Sequence, residues 1–205
     1  MNLSLDQSYW TARYEQNQIG WDVGQATAPI KQFLDQVEDK SIHILIPGAG
    51  NAHEAAYAWE NGFENIHVLD FSHFPLETFQ KQYPDFPKDQ IHHQDFFQHA
   101  LQYDLILEQT FFCALPIRMR QDYAKKIHSL LKQDGLLAGV MFNRIFEHGG
   151  PPFGGTVDEY QSYFEDYFDI LTMTPCHNSI PPRAGSEIFI RLRKKKVRAL
   201  ECNCF

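Results

Sequence analysis

The residues best suited to chemistry are Gly48, Gly50 and Asp70. The glycines lie in Pro47-Gly-Ala-Gly-Asn-Ala-His-Glu54, after the apolar run Ile42-His-Ile-Leu-Ile46 and before the helical stretch Glu54-Ala-Ala-Tyr-Ala-Trp59. Asp70 closes the next apolar run. Strand, glycine turn, helix, strand, acid is the layout of a nucleoside-binding α/β half. Glycine lets the backbone come close to a ligand, and a carboxylate at the second strand end can take both ribose hydroxyls. A dinucleotide turn wants a small residue at its sixth position, which here is His53. Glu54 adds a negative charge to the first helical turn, where a pyrophosphate would gain from its absence. The turn suits a nucleoside without phosphates, and S-adenosylmethionine, with its positive sulfonium, is one.

The elements that must position these residues alternate between strand and helix. An N-terminal amphipathic segment covers Asp6 to Gln16, and a helix runs from Thr27 to Val37 with Pro29 in its first turn. Strands are expected at 43–46, 66–69, 90–93, 103–107, 136–142, 169–174 and 187–192. Helices are expected up to Glu60, near 76–82, from Arg118 to Leu131, and from Val157 to Tyr167. Lys132-Gln-Asp-Gly135 reads as a turn before the fifth strand. Such alternation implies a mainly parallel sheet covered on both faces. The last two strands have no helix between them, so the final strand is expected to be antiparallel. Ligands bind at the C-terminal strand ends of such sheets. That edge collects Gly48, Gly50, Asp70, Asp95, Phe96, Glu108, Gln109 and Phe142.

The 205 residues, 43% of them hydrophobic, make one domain (1–205) able to bury a full core. A net charge of −8 disfavours nucleic acid and anionic membranes as partners. The basic cluster Arg191-Leu-Arg-Lys-Lys-Lys-Val-Arg198 reads as a solvated strand end and tail. No apolar run approaches the roughly 20 residues needed to span a bilayer. The N-terminus lacks a signal peptide's pattern, so a cytoplasmic protein is expected. Cys113, Cys176, Cys202 and Cys204 form no zinc pattern, and no metal is expected. His92, His93 and His99 read as structural.

Taken together, these residues resemble the thiopurine S-methyltransferase superfamily, and most of all its thiol and halide methyltransferase branch. The matching pieces are Trp10-Thr-Ala-Arg-Tyr14, Gly20-Trp-Asp22, the glycine turn, Asp95-Phe96, Thr110-Phe-Phe-Cys-Ala114, Gly149-Gly-Pro-Pro-Phe153 and Arg183-Ala-Gly-Ser-Glu187. They cover residues 8 to 195. The resemblance implies a class I methyltransferase fold, Rossmann-like, with a seven-stranded sheet and S-adenosylmethionine as methyl donor. It also implies roles. Trp10, Tyr14 and Trp21, in an N-terminal segment spanning 1–25, match aromatic positions that close over the cofactor. Gly48 and Gly50 lie in its turn, Asp70 matches the ribose acid, and Asp95 and Phe96 match the pair that meets adenine. Glu108 matches an acid near the methionine end. Phe112, Phe142, Phe153 and Arg183 are assigned to the acceptor. Phe142 departs from the tyrosine often found in the halide branch. Residues 194–205 form a tail without a counterpart.

Methyl transfer from a sulfonium needs no acid to expel its neutral leaving group. It needs a desolvated nucleophile held at about 3–3.5 Å, and no obligatory catalytic side chain is expected. The expected acceptor is a small soft nucleophile, a thiol or hydrosulfide. Halide, thiocyanate, tellurite or selenite is the alternative, and a silent nucleoside-binding module is a different class. A nicotinamide dehydrogenase would need a third glycine where His53 stands. Each nominated side chain also has a plainer reading. Trp10 and Tyr14, at i and i+4, fit core packing, and Asp95 fits a helix cap. Phe96, Phe112 and Phe142 fit the core, and Arg183 fits a structural ion pair. A monomer or small homo-oligomer is expected.

Overall fold

A computed structural model describes residues 4–196. The terminal cysteines Cys202 and Cys204, and the ends of the chain on which the leader and tail readings rest, lie outside the described residues. Helix α1 (Gln7–Glu15) is capped by the Asp6 carboxylate, which accepts from the Tyr9 amide. Only Tyr14 of this helix is buried, so it covers the domain edge instead of burying an apolar stripe. Helix α2 (Ala28–Asp35), β1 (His43–Pro47), α3 (His53–Glu60), β2 (Asn65–Asp70), α4 (His73–Gln82), β3 (Ile91–His93) and β4 (Tyr103–Gln109) follow. Then come α5 (Arg120–Leu130), β5 (Leu131–Phe142), α6 (Val157–Phe164), β6 (Phe168–Pro175) and β7 (Glu187–Lys194).

The seven strands form one sheet in the order β3-β2-β1-β4-β5-β7-β6. All neighbours are parallel except β7, which runs antiparallel to both β5 and β6. Side chains alternate across this sheet as strand geometry requires. Ile44, Ile46, Ile66 and Val68 face α2, α3 and α4 in one core layer. Leu45, Leu69, Ile106 and Leu137 face α5 and α6 in the other. The chain leaves β1 toward one face and β4 toward the other. The crevice where ligands sit in open α/β sheets therefore opens beyond the ends of β1 and β4.

Two local readings differ from the sequence expectation. The expected turn at 132–135 lies inside β5. The strand opens at Leu131, opposite Tyr103, then bulges before Leu136 pairs with Leu105, with Asp134 at φ +62°. Glu108 falls within β4, not after it. The stretch between β3 and β4 holds only a 3-10 turn, Phe96–Gln98, and rings take the place of a covering helix. His67 stacks on His92 at 5.2 Å between ring centres and on His43 at 6.1 Å. His99, buried, bonds the Tyr103 hydroxyl at 2.6 Å.

Burial lowers His67 and His99 to about 4 and also lowers His92, with Asp89 opposing it at His67 and His92, and Lys126 adding to it at His99. A histidine whose folded pKa lies below its unfolded value of ~6.5 is neutral in the native state. Unfolding then takes up protons, and the stability these rings contribute is lost as pH falls from ~6.5 toward their folded values. The thermal midpoint of the wild type, followed by circular dichroism, is therefore expected to fall relative to that of His67→Gln as the pH drops through this window. A gap that stays constant would remove His67 from the acid response.

Candidate active site

The site grows from the turn between β1 and α3. Gly48 (φ +60°), Gly50 (φ +52°) and Ala52 (φ +55°) are left-handed, which returns the chain sharply into α3. Asp70, at the end of β2, holds this turn. One carboxylate oxygen accepts from the Gly50 amide and the other from the Ser72 amide, each at 2.8 Å. Burial raises the Asp70 pKa, against the pull of those amides. The glycines leave room that aromatic rings approach. A Cβ on Gly50 would lie 2.7 Å from the Tyr14 hydroxyl oxygen, and one on Gly48 would lie 2.2 Å from the Phe111 ring.

The N-terminal aromatics meet over the turn. Trp21 makes edge contacts with Trp10 at 5.5 Å and with Tyr14 at 5.8 Å. Three anchors hold this cover. Thr11 donates to the Ser72 hydroxyl at 2.9 Å. Asp22 receives His53 at 2.8 Å, together with Asn51 and the Gly24 amide. Arg183 donates to the Trp21 carbonyl at 2.7 Å. Burial acts against the Asp22 charge, yet His53, the Gly24 amide and Asn51 hold its carboxyl at about 2. His53 is raised in turn, first by its bond to Asp22.

Between cover and turn lies a cleft that opens to solvent. Its lining includes Trp21, Asp22, Thr27, Gly48, Gly50, Glu54, Gln109 and Thr110. Two carboxylates and no lysine or arginine line it. A phosphate group would find repulsion there, whereas a cationic nucleoside fits. Thr27 shows how the walls join: it does not cap α2 with its side chain, and its hydroxyl donates instead to Gln109 at 2.8 Å.

A second, smaller cavity shares Thr110 with the first. It is lined by Glu108, Thr110, Phe112, Cys113, Val140, Met141, Phe142 and Glu187. Arg183 borders it, 3.6 Å from Glu187 and with its guanidinium 5.8 Å from the centre of the Phe142 ring. Its Nη1 is buried without a hydrogen-bond partner. Glu108 braces the floor. One oxygen accepts from the amides of Phe111 and Phe112 at 2.8 Å, and the other from the Tyr123 hydroxyl at 2.5 Å. Burial pushes its carboxyl up to about 7 against these three bonds. Behind this wall, fully buried Arg120 binds Glu159 at 2.7 Å and the carbonyls of Phe153 and Gly154. It thereby pins the Gly-Gly-Pro-Pro loop.

The expected residues thus separate by position. Trp21, Gly48 and Gly50 line the first cavity, with Trp10, Tyr14 and Asp70 packed about the same turn. Phe112 and Phe142 line the second, with Arg183 at its edge. Phe96 is buried, 5.1 Å from Phe111 and 5.7 Å from Tyr123. Asp95 caps the 3-10 turn through the Phe97 amide. Phe153 hydrogen-bonds the Cys113 carbonyl through its own amide. Sequence reasoning placed Gln109 at the C-terminal strand ends but did not nominate Asp22, Thr27, Glu54, Thr110, Cys113 or Glu187 as lining. Glu187 carried a signal, lying four positions after Arg183. Among the described residues, no cluster of His, Cys, Asp or Glu side chains is placed to hold a metal ion. No helix among them is long and apolar enough to cross a membrane.

Comparison with known proteins agrees with this architecture. A solved Burkholderia thailandensis structure, 1,6-didemethyltoxoflavin-N1-methyltransferase with bound 1,6-didemethyltoxoflavin and S-adenosylhomocysteine, superposes with a TM-score of 0.73. It covers 93% of this chain and 87% of its own at 17% identity, and so shows the fold. Probable thiol methyltransferase 2 of Arabidopsis thaliana is 28% identical over 90% of this chain and 84% of its own. Thiocyanate methyltransferase 1 of the same plant is 28% identical over 95% and 88%. The family model described as Thiopurine S-methyltransferase (TPMT) matches residues 5–201. The chain belongs to the thiopurine S-methyltransferase family.

Proposed function

We propose that this methyltransferase, with S-adenosylmethionine as donor, methylates a small soft nucleophile, a thiol or hydrosulfide. One observation carries the reading. A cavity lined by carboxylates but by no lysine or arginine shares Thr110 with a second, smaller cavity, which is bordered by a buried Arg183 nitrogen that lacks a hydrogen-bond partner and stands 3.6 Å from Glu187. The donor supplies an electrophilic methyl group on a cationic sulfur. The protein's residues do the rest. Asp70 and the glycine turn hold the nucleoside, and Asp95 and Phe96 support its base side from beneath Phe111. Trp10, Tyr14 and Trp21 exclude water and present ring faces that attract a cation, by ~2 kcal/mol per well-placed ring when dry. Glu108 fixes the loop that carries Thr110 and Phe112 near the methionine end.

Acceptor chemistry follows from the second cavity. Phe112 and Phe142 strip water from the nucleophile, and Phe153 closes the loop behind them. Arg183 favours an anionic form, a thiolate or hydrosulfide. Cys113 does not compete as an acceptor. Burial, with the Glu108 charge adding to it, pushes its thiol up to about 12, so it stays protonated. Both Glu108 oxygens are engaged, so the ionisation state of the acceptor itself sets the rate below its own pKa, ~8.5 for a free thiol.

Two measurements test this reading. Asp70→Asn should leave one amide facing a donor and weaken S-adenosylhomocysteine binding by about 1.5–3 kcal/mol, read by calorimetry on the folded variant. Unchanged affinity would remove Asp70 from the site. A labelled-methyl screen should show transfer to hydrosulfide and small thiols, with kcat/KM rising with pH up to the acceptor pKa. Comparable rates on iodide or thiocyanate would extend the acceptor class to those anions. Activity confined to oxygen or nitrogen nucleophiles would overturn the proposal.

A further inference from the structure

We infer that Glu54 is the anionic partner of the donor's α-ammonium group, the charged amino-acid end of S-adenosylmethionine. The inference rests on the donor reading above and goes beyond it in assigning a residue. Glu54 stands in the first turn of α3, is only 7% exposed, and lines the first cavity. Among the described residues, its side chain accepts one hydrogen bond from another residue, the Thr27 amide at a long 3.4 Å. A carboxylate removed from water with so little in return is costly unless a cation joins it. Burial accordingly raises its pKa, with the Thr27 amide and His53 opposing.

The other carboxylate of the cavity is already committed. Asp22 accepts from His53, Asn51 and the Gly24 amide. Glu54, with a single long bond from another residue, has the greater acceptor capacity to spare. Its place along the cavity then selects which of the donor's two cations it meets. The sulfonium must lie beside the second cavity, where the acceptor waits, and the two cavities share Thr110 in their walls. Glu54 lines the first cavity alone. The nucleoside end lies over Gly50 near Asp70. What remains for Glu54, beside Thr27, is the amino-acid tail.

Calorimetry with two ligands separates this role from a structural one. S-adenosylhomocysteine carries the α-ammonium, and 5′-methylthioadenosine keeps the nucleoside and sulfur but lacks the amino acid. Glu54→Gln preserves side-chain volume and an oxygen for the Thr27 amide. It is expected to weaken S-adenosylhomocysteine binding tenfold or more and to leave 5′-methylthioadenosine within about twofold. Glu54→Asp keeps the charge and should lose less on the first ligand and nothing on the second. This variant also serves if the glutamine form fails to fold. Equal losses on both ligands, or no loss on either, would overturn the assignment while leaving the donor reading intact. A wild type that binds neither ligand would overturn both.

Discussion

The loops at the carboxyl edge of the sheet are held by buried carboxylates that grip backbone amides. Asp70 ties the glycine turn to the start of α4 by taking the Gly50 and Ser72 amides on its two oxygens. Glu108 does the same for the loop after β4, with Tyr123 as its third donor. Hydrogen bonds to a charged group contribute about 1.5–3 kcal/mol each, more than the neutral contacts that hold ordinary loops. The turn conformations at Gly48, Gly50 and Ala52 are therefore fixed by their surroundings. A carboxylate placed this way also keeps lone pairs free beyond the two that the Gly50 and Ser72 amides use.

Onto this frame the chain adds an N-terminal cover whose three rings pack together about the turn, with Trp21 lining the cavity. Trp10, Tyr14 and Trp21 touch edge to face, a geometry that suits ring quadrupoles. Their backbone and flanking side chains are tied to α3 through Asp22, to Ser72 through Thr11, and to the far end of the chain through Arg183. Ring packing and fastening are thus done by different atoms of one segment. That separation matters for a reaction whose only demands are proximity and dryness.

Much of the fold was readable because it rests on local pattern. Apolar runs, glycine punctuation and the missing helix between the last two strands pointed to a mainly parallel sheet ending in an antiparallel strand. The glycine turn and Asp70 were readable because backbone sterics and strand ends leave few residue choices. What lay hidden depends on side-chain direction in three dimensions. Phe96 and Phe112 are both buried phenylalanines near strand ends, yet one packs beneath Phe111 and the other lines a cavity. No spacing rule separates them. The β5 bulge was read as a turn because Asp134 and Gly135 are turn residues in either setting. Glu54 was noticed as a charge, but its isolation shows only once Thr27 and the cavity are in place.

The bond from Arg183 to the Trp21 carbonyl joins segments that lie 162 positions apart in the sequence. During synthesis, a ribosome releases the glycine turn and Asp70 long before Arg183 and β7 emerge. Domains fold as units once enough chain is available, and here the fastening of the cover awaits the final strand. A product truncated before Arg183 would keep the Thr11 and Asp22 anchors but lack the third, so the cover is fully fastened only after that part of the chain has left the ribosome.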